Sequence, residues 1–107
     1  MKESVVEAYL VQVVTALGGT AEKFTSPARR SVPDRIVTIP SALGNAARMS
    51  QPCRVVFVEL KATGKSPTAA QLRDHERRRA LGAEVWVIDS KEGVDEFINH
   101  YVPEDYK

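Results

Sequence analysis

Arg54-Val55-Val56-Phe57-Val58-Glu59-Leu60-Lys61 is the stretch that decides the fold. Residues 55–58 are all apolar, three valines and a phenylalanine. Such a run predicts a strand buried on both faces. It ends on a carboxylate and an ammonium group, which are unfavourable to bury unless paired or bound. Period-two geometry puts Glu59 and Lys61 on one face, roughly 7 Å apart along the strand. A carboxylate and a lysine at the rim of a sheet suit a metal ion and an anionic substrate.

Punctuation on either side of this strand defines the other elements. Upstream, residues 4–17 predict a helix, with Ser4 and Glu7 forming a capping box and Gly18-Gly19 as the stop. A short strand over 20–25, a basic loop over 26–33 and a strand over 35–39 follow, the last stopped by Pro40. A long polar loop over 41–52 leads into the central strand, 54–61. Downstream, a helix starts with Ser66 as N-cap and Pro67 in the first turn, and Gly82 closes it. Residues 84–89 predict a strand, and Ser90 caps a last helix over 91–101 ahead of an acidic tail.

The fold class is therefore α/β in the order α-β-β-β-α-β-α, a single domain over residues 1–107 with a mixed central sheet flanked by helices. The helix between strands 54–61 and 84–89 predicts a crossover joining parallel strands. Strands 35–39 and 54–61 are expected to pair antiparallel. A chain of 107 residues builds one core and no second.

Net charge is +1, but its distribution is uneven. Residues 27–79 carry eleven Lys/Arg and four Asp/Glu, whereas residues 80–107 carry a net of −5. A basic middle on a nearly neutral chain points to a polyanionic partner. Cys53 is the single cysteine, which excludes an intrachain disulfide and fits a reducing, cytoplasmic setting. The apolar stretch 8–17 is interrupted by Gln12 and too short to span a membrane. No membrane association is expected.

Pro33-Asp34 stands just before the strand 35–39. Proline fixes its own φ and restrains its neighbour, so Asp34 enters the strand at a defined place. Antiparallel pairing would bring it beside Glu59. Two carboxylates and a carbonyl oxygen make a natural Mg²⁺ site. Taken singly, Pro-Asp is an ordinary turn dipeptide and Glu-x-Lys is common on solvated strands; their combination carries the signal. Glu7 reads as a capping residue or as a third acid near the metal. Gln71 and His75, four apart, share one helix face. Gln71 is placed beside the site, where it would position a phosphate or water, and His75 is expected to be exposed or DNA-facing. Leu72 and Leu81, with a few alanines, form that helix's apolar side. His100 and Cys53 read as structural or incidental. Arg29, Arg30, Arg35, Lys65 and Arg73 surround the proposed site and suit phosphate contact. Few aromatics lie among them, which favours backbone-phosphate binding over base stacking.

Together, Glu7, Pro33-Asp34, Glu59-Leu60-Lys61 and Gln71, in this order of elements, resemble the PD-(D/E)xK nuclease superfamily. The compact size and the run Gly82-Ala83-Glu84-Val85-Trp86-Val87-Ile88 look like its VRR-NUC branch, and the resemblance covers about residues 4–98. Glycine is common shortly before Pro-Asp in that branch; Ser31-Val32 stands here. The resemblance implies a restriction-endonuclease-like fold and a DNA endonuclease dependent on Mg²⁺ or Mn²⁺. It makes Asp34 and Glu59 metal ligands, assisted by the Leu60 carbonyl, and Lys61 the catalytic lysine. It makes Glu7 a first-helix acid helping the metal and Gln71 an accessory active-site residue. It further implies a homodimer cleaving four-way (Holliday) junctions in a bacterial or phage-infected cell. The alternatives are a nuclease acting on flaps or DNA ends, a non-catalytic DNA-binding module of the same fold, and a protein-interaction domain.

Overall fold

The computed structural model describes residues 1–40 and 53–102. The polar loop 41–52 and the acidic residues 103–107 lie outside the described residues.

The elements are α1 (Glu3–Ala16), β1 (Thr20–Lys23), β2 (Arg35–Ile39), β3 (Arg54–Leu60), α2 (Ala69–Ala80), β4 (Glu84–Ile88) and α3 (Lys91–Tyr101). The sheet order is β1-β2-β3-β4. β2 pairs antiparallel with both β1 and β3, and β3 pairs parallel with β4 across α2. The α-β-β-β-α-β-α mixed sheet read from the sequence is therefore the fold.

Alternation along β3 separates two layers. Val56, Val58 and Leu60 point into the core, opposite Val37 of β2 and Trp86 and Ile88 of β4. Val6, Leu10 and Val14 of α1 and Val94, Phe97 and Ile98 of α3 close over that face. The spacing of four along α1 is the apolar stripe of a packed helix. Phe57 and Glu59 face the other way, under α2. Gly19 sits where a Cβ would fall 2.4 Å from the Thr38 carbonyl, so the turn from α1 into β1 requires glycine there. None of the described helices is long and apolar enough to cross a membrane.

Three local expectations are corrected. α1 begins at Glu3 with Lys2 as N-cap and no capping side chain, so Ser4 and Glu7 form no capping box. Glu7 instead accepts from Arg35, a charge-assisted bond that outweighs an exposed cap. α2 is capped by Thr68 rather than Ser66. Thr68 has Gln71 three residues on, and the two bond reciprocally, Gln71 N to Thr68 Oγ1 at 3.2 Å and Thr68 N to Gln71 Oε1 at 2.9 Å. Ser66 has only Ala69 at that position. Third, α2 turns its polar side inward. Asp74 and His75 are buried, while Leu72 and Leu81 are exposed. The Gly82 stop (φ +95°) and the Ser90 cap are as the sequence predicts.

Candidate active site

Asp34 leaves buried Pro33 and enters β2 one residue before the paired Arg35–Val58 position. Continuing that register brings Asp34 beside Glu59. Its carboxylate also reaches the next backbone position, where Leu60 N donates to Asp34 Oδ2 at 2.6 Å. One carboxylate oxygen of Asp34 is thus pinned to the end of β3.

Glu59 is 1% exposed, on the face beneath α2. Gln71 Nε2 donates to its Oε2 at 3.1 Å, and His75 Nε2 lies 3.3 Å from its Oε1. The Gln71 amide is held at both ends, since its Oε1 accepts from the Thr68 N-cap backbone. It therefore orients Glu59, where a contact to phosphate or water was expected. Burial pushes the Glu59 carboxyl up to about 8, reinforced by a hydrogen bond to Asp34 and by the Asp34 charge; Lys61 pulls the other way.

His75 is fully buried, not exposed or DNA-facing as the sequence reading has it. Its Nδ1 is buried and finds no hydrogen-bond partner among the described residues. Burial lowers its pKa, with the Arg79 charge adding to the effect. A neutral ring carrying its proton on Nε2 donates to Glu59 and leaves Nδ1 as a bare acceptor. A second proton on Nδ1 would have no acceptor.

Lys61 follows β3 directly and is half-buried; its backbone N–H donates to the Ile88 carbonyl at 3.0 Å. The loop after it is fastened to the end of β4, with Gly64 N donating to Asp89 Oδ2 at 3.0 Å and Thr63 Oγ1 to the Asp89 carbonyl at 2.7 Å. Exposed Lys65 rides on that loop.

The structure does not bring Glu7 to the carboxylate pair. Arg35 Nε donates to Glu7 Oε2 at 2.9 Å and Arg35 Nη1 to the Ala21 carbonyl at 2.7 Å. Arg35 follows Asp34 and points to the opposite side of the strand, toward α1. Both Glu7 and Arg35 are committed to each other. A different first-helix acid senses the site: the charge of Glu3 acts on Glu59 and raises its pKa. Starting the helix at Ser4 hid Glu3, because it excluded that residue from α1.

Among the described residues no three His, Cys, Asp or Glu side chains converge into a metal cluster. Two carboxylates do meet, and their chemistry fits a divalent cation. Glu59 is driven toward its protonated form by burial and by Asp34, a repulsion that an oxygen-preferring cation relieves.

No family model matches the chain. A solved structure described as a VRR_NUC domain superposes with a TM-score of 0.78 at 35% identity, covering 94% of this chain and 98% of that one. The chain belongs to the VRR-NUC family. A second relative, "Putative nuclease p44" of Acyrthosiphon pisum secondary endosymbiont phage 1, is 44% identical over 92 residues, 86% of this chain and 87% of that protein. In this VRR-NUC domain Asp34, Glu59 and the Leu60 backbone lie together at the β2–β3 end, with Gln71 and His75 above them on α2. Arg29, Arg30 and Arg73 are exposed on the same side, lining one cavity.

Proposed function

We propose that this VRR-NUC domain is a divalent-metal-dependent DNA endonuclease, acting as a homodimer on four-way junctions. The observation that carries the nuclease reading is the Asp34–Glu59 carboxylate pair at the end of β3, next to Lys61, with Asp34 lining a cavity shared with Arg29 and Arg30. The phage relative supports it, since the match spans 87% of a protein named as a nuclease.

Each residue has a separate task. Leu60 N–H fixes one oxygen of Asp34, leaving the other available to a cation. Gln71 and His75 hold the two oxygens of Glu59, so the carboxylate meets its ligand in one orientation. The Leu60 carbonyl is the further oxygen donor we assign, and Glu3, rather than Glu7, adds a negative charge that favours a cation there. Mg²⁺ or Mn²⁺ held there would acidify a bound water and polarise a phosphate oxygen. Lys61 orients the water or neutralises charge developing on the phosphate. Hydrolysis adds water across one P–O bond, giving a phosphate monoester and a hydroxyl. Symmetric cutting of a junction needs two such sites, hence two chains.

The test is cleavage of a four-way junction, a flap and a plain duplex with Mg²⁺, Mn²⁺ or EDTA. Metal-dependent cutting, with the junction preferred and both Asp34→Ala and Lys61→Ala inactive, is expected. Equal cutting by wild type and both variants would refute the site. Preference for the flap would move the substrate to DNA ends, and DNA binding without cutting under any metal would leave a binding module.

A further inference from the structure

Two cavities meet at the β1–β2 loop. One, about 330 Å³, runs from Asp34 past Val32 and Phe24 to Arg29 and Arg30. The other, about 210 Å³, continues from Arg29 and Arg30 to Arg73 and Arg77 on α2. Shared walls make them one groove that starts at a candidate catalytic carboxylate and ends on a helix face. Arg73 and Arg77 are one turn apart, so their side chains rise from the same face.

The far cavity is built around a buried acid. Asp74 is 2% exposed and sits between the helix and the loop. Arg77 Nη2 donates to its Oδ1 at 2.8 Å, Arg78 Nε to its Oδ2 at 2.7 Å, and Arg29 Nη1 stands 3.9 Å from Oδ1. The Arg78 guanidinium also lies over the Phe57 and Phe24 rings, at 4.7 and 5.2 Å from their centroids. Asp74 therefore ties the loop arginine to the helix arginines. Four arginines line the cavity against this one carboxylate, whose oxygens are already occupied. Arg30 and Arg73 make no ion pair among the described residues and are exposed. Guanidinium forks with no local carboxylate are matched to phosphate oxygens. The cavity is several times the ~30 Å³ share of a water molecule, room for a phosphate group.

We propose that this groove is a backbone track that binds successive phosphates of the DNA strand running away from the cut site, with Arg29 and Arg30 as the near clamp, Arg73 and Arg77 as the far clamp, and Asp74 as the residue that holds Arg29 and Arg77 in place. The direction from the cut site rests on the nuclease reading above; the phosphate track itself is tested without cleavage.

The experiment is fluorescence anisotropy of a labelled DNA duplex in EDTA across a salt series. It compares wild type, Arg30→Ala/Arg73→Ala, and Arg54→Ala as an exposed arginine outside the groove. Each lost phosphate contact flattens log K against log[salt] by about 0.9, so the double variant is expected to lower the slope by about 1.8 and Arg54→Ala to leave it unchanged. Inorganic phosphate at matched phosphate concentration is expected not to displace the duplex. An unchanged slope in the double variant, an equal change in Arg54→Ala, or displacement by inorganic phosphate would overturn the track. Because no metal is present, these outcomes are independent of whether the protein cuts.

Discussion

The Nε2 of His75 stands 3.3 Å from Oε1 of Glu59, with both side chains shut off from solvent. A helix two-thirds made of charged and polar residues would ordinarily face outward; here α2 faces inward because Glu59 lies beneath it and needs donors. His75 and Gln71 supply them. Outer contacts of this kind, which hold a metal-binding carboxylate in place, are typically worth about 10- to 100-fold in activity or metal affinity. His75→Ala is expected to lower metal-dependent cleavage by that order, and His75→Gln, which keeps a donor, to recover part of it. Equal loss in both variants at unchanged thermal stability would argue against orientation of Glu59.

The proton balance of this pair predicts an unusual pH dependence. Glu59 is raised from 4.5 to about 8 in the folded protein, so the native state holds a proton that the unfolded state releases. Its contribution is present below pH 4.5 and is lost as pH rises toward 8. His75 is lowered from 6.5, so its contribution has the opposite sign and is lost as pH falls below 6.5. Between pH 6.5 and 8 only the Glu59 proton still distinguishes the two states of this pair, and the metal-free protein should lose stability across that window. Melting curves in EDTA should show Tm falling over this range, with Glu59→Gln removing the fall and Mn²⁺ opposing it. A Tm that rises from pH 6.5 to 8 in EDTA would contradict the account.

Gln71 has two jobs that substitutions can separate. Thr68→Ala removes only the cap and should destabilise by about 1 kcal/mol with little change in cleavage. Gln71→Ala loses its half of the cap together with the donor to Glu59. It should show a comparable stability loss and a much larger loss of cleavage. Chemical denaturation and cleavage rates on the same preparations check the split.

The two first-helix acids should also separate. Glu7 is bonded to Arg35, whose side chain is 14% exposed, so Glu7→Gln should reduce stability by about 1–2 kcal/mol while sparing most activity. Glu3 is exposed but acts on Glu59, so Glu3→Gln should leave stability nearly unchanged and weaken metal-dependent cleavage. The reverse pattern would return Glu7 to the proposed metal site.

Much of this was legible because strands announce themselves by short apolar runs between turn residues. β2 was read to its limits, and the Pro33-Asp34 and Glu59-Leu60-Lys61 segments meet as antiparallel pairing requires. α2 was not legible in the same way. Its periodicity pointed Leu72 and Leu81 inward, but its buried side is set by a partner, Glu59, on a different element. His75 was missed for that reason: a polar residue within a charged helix carries no periodic mark of burial. Asp74 pairs with Arg77 and Arg78 of its own helix, as spacings of three and four allow, but the Arg29 contact from the β1–β2 loop comes from tertiary structure. Glu3 was missed through one residue of helix boundary, which sequence signals resolve poorly.

Everything proposed for this site depends on Asp34 and Glu59 holding a divalent cation together. The most direct measurement is anomalous diffraction from a crystal soaked in Mn²⁺ near pH 8. An anomalous peak within oxygen-ligand distance of both carboxylates, absent in Asp34→Asn, is expected. Ordered Asp34 and Glu59 side chains with no peak between them, at Mn²⁺ concentrations that support DNA cleavage in solution, would contradict it.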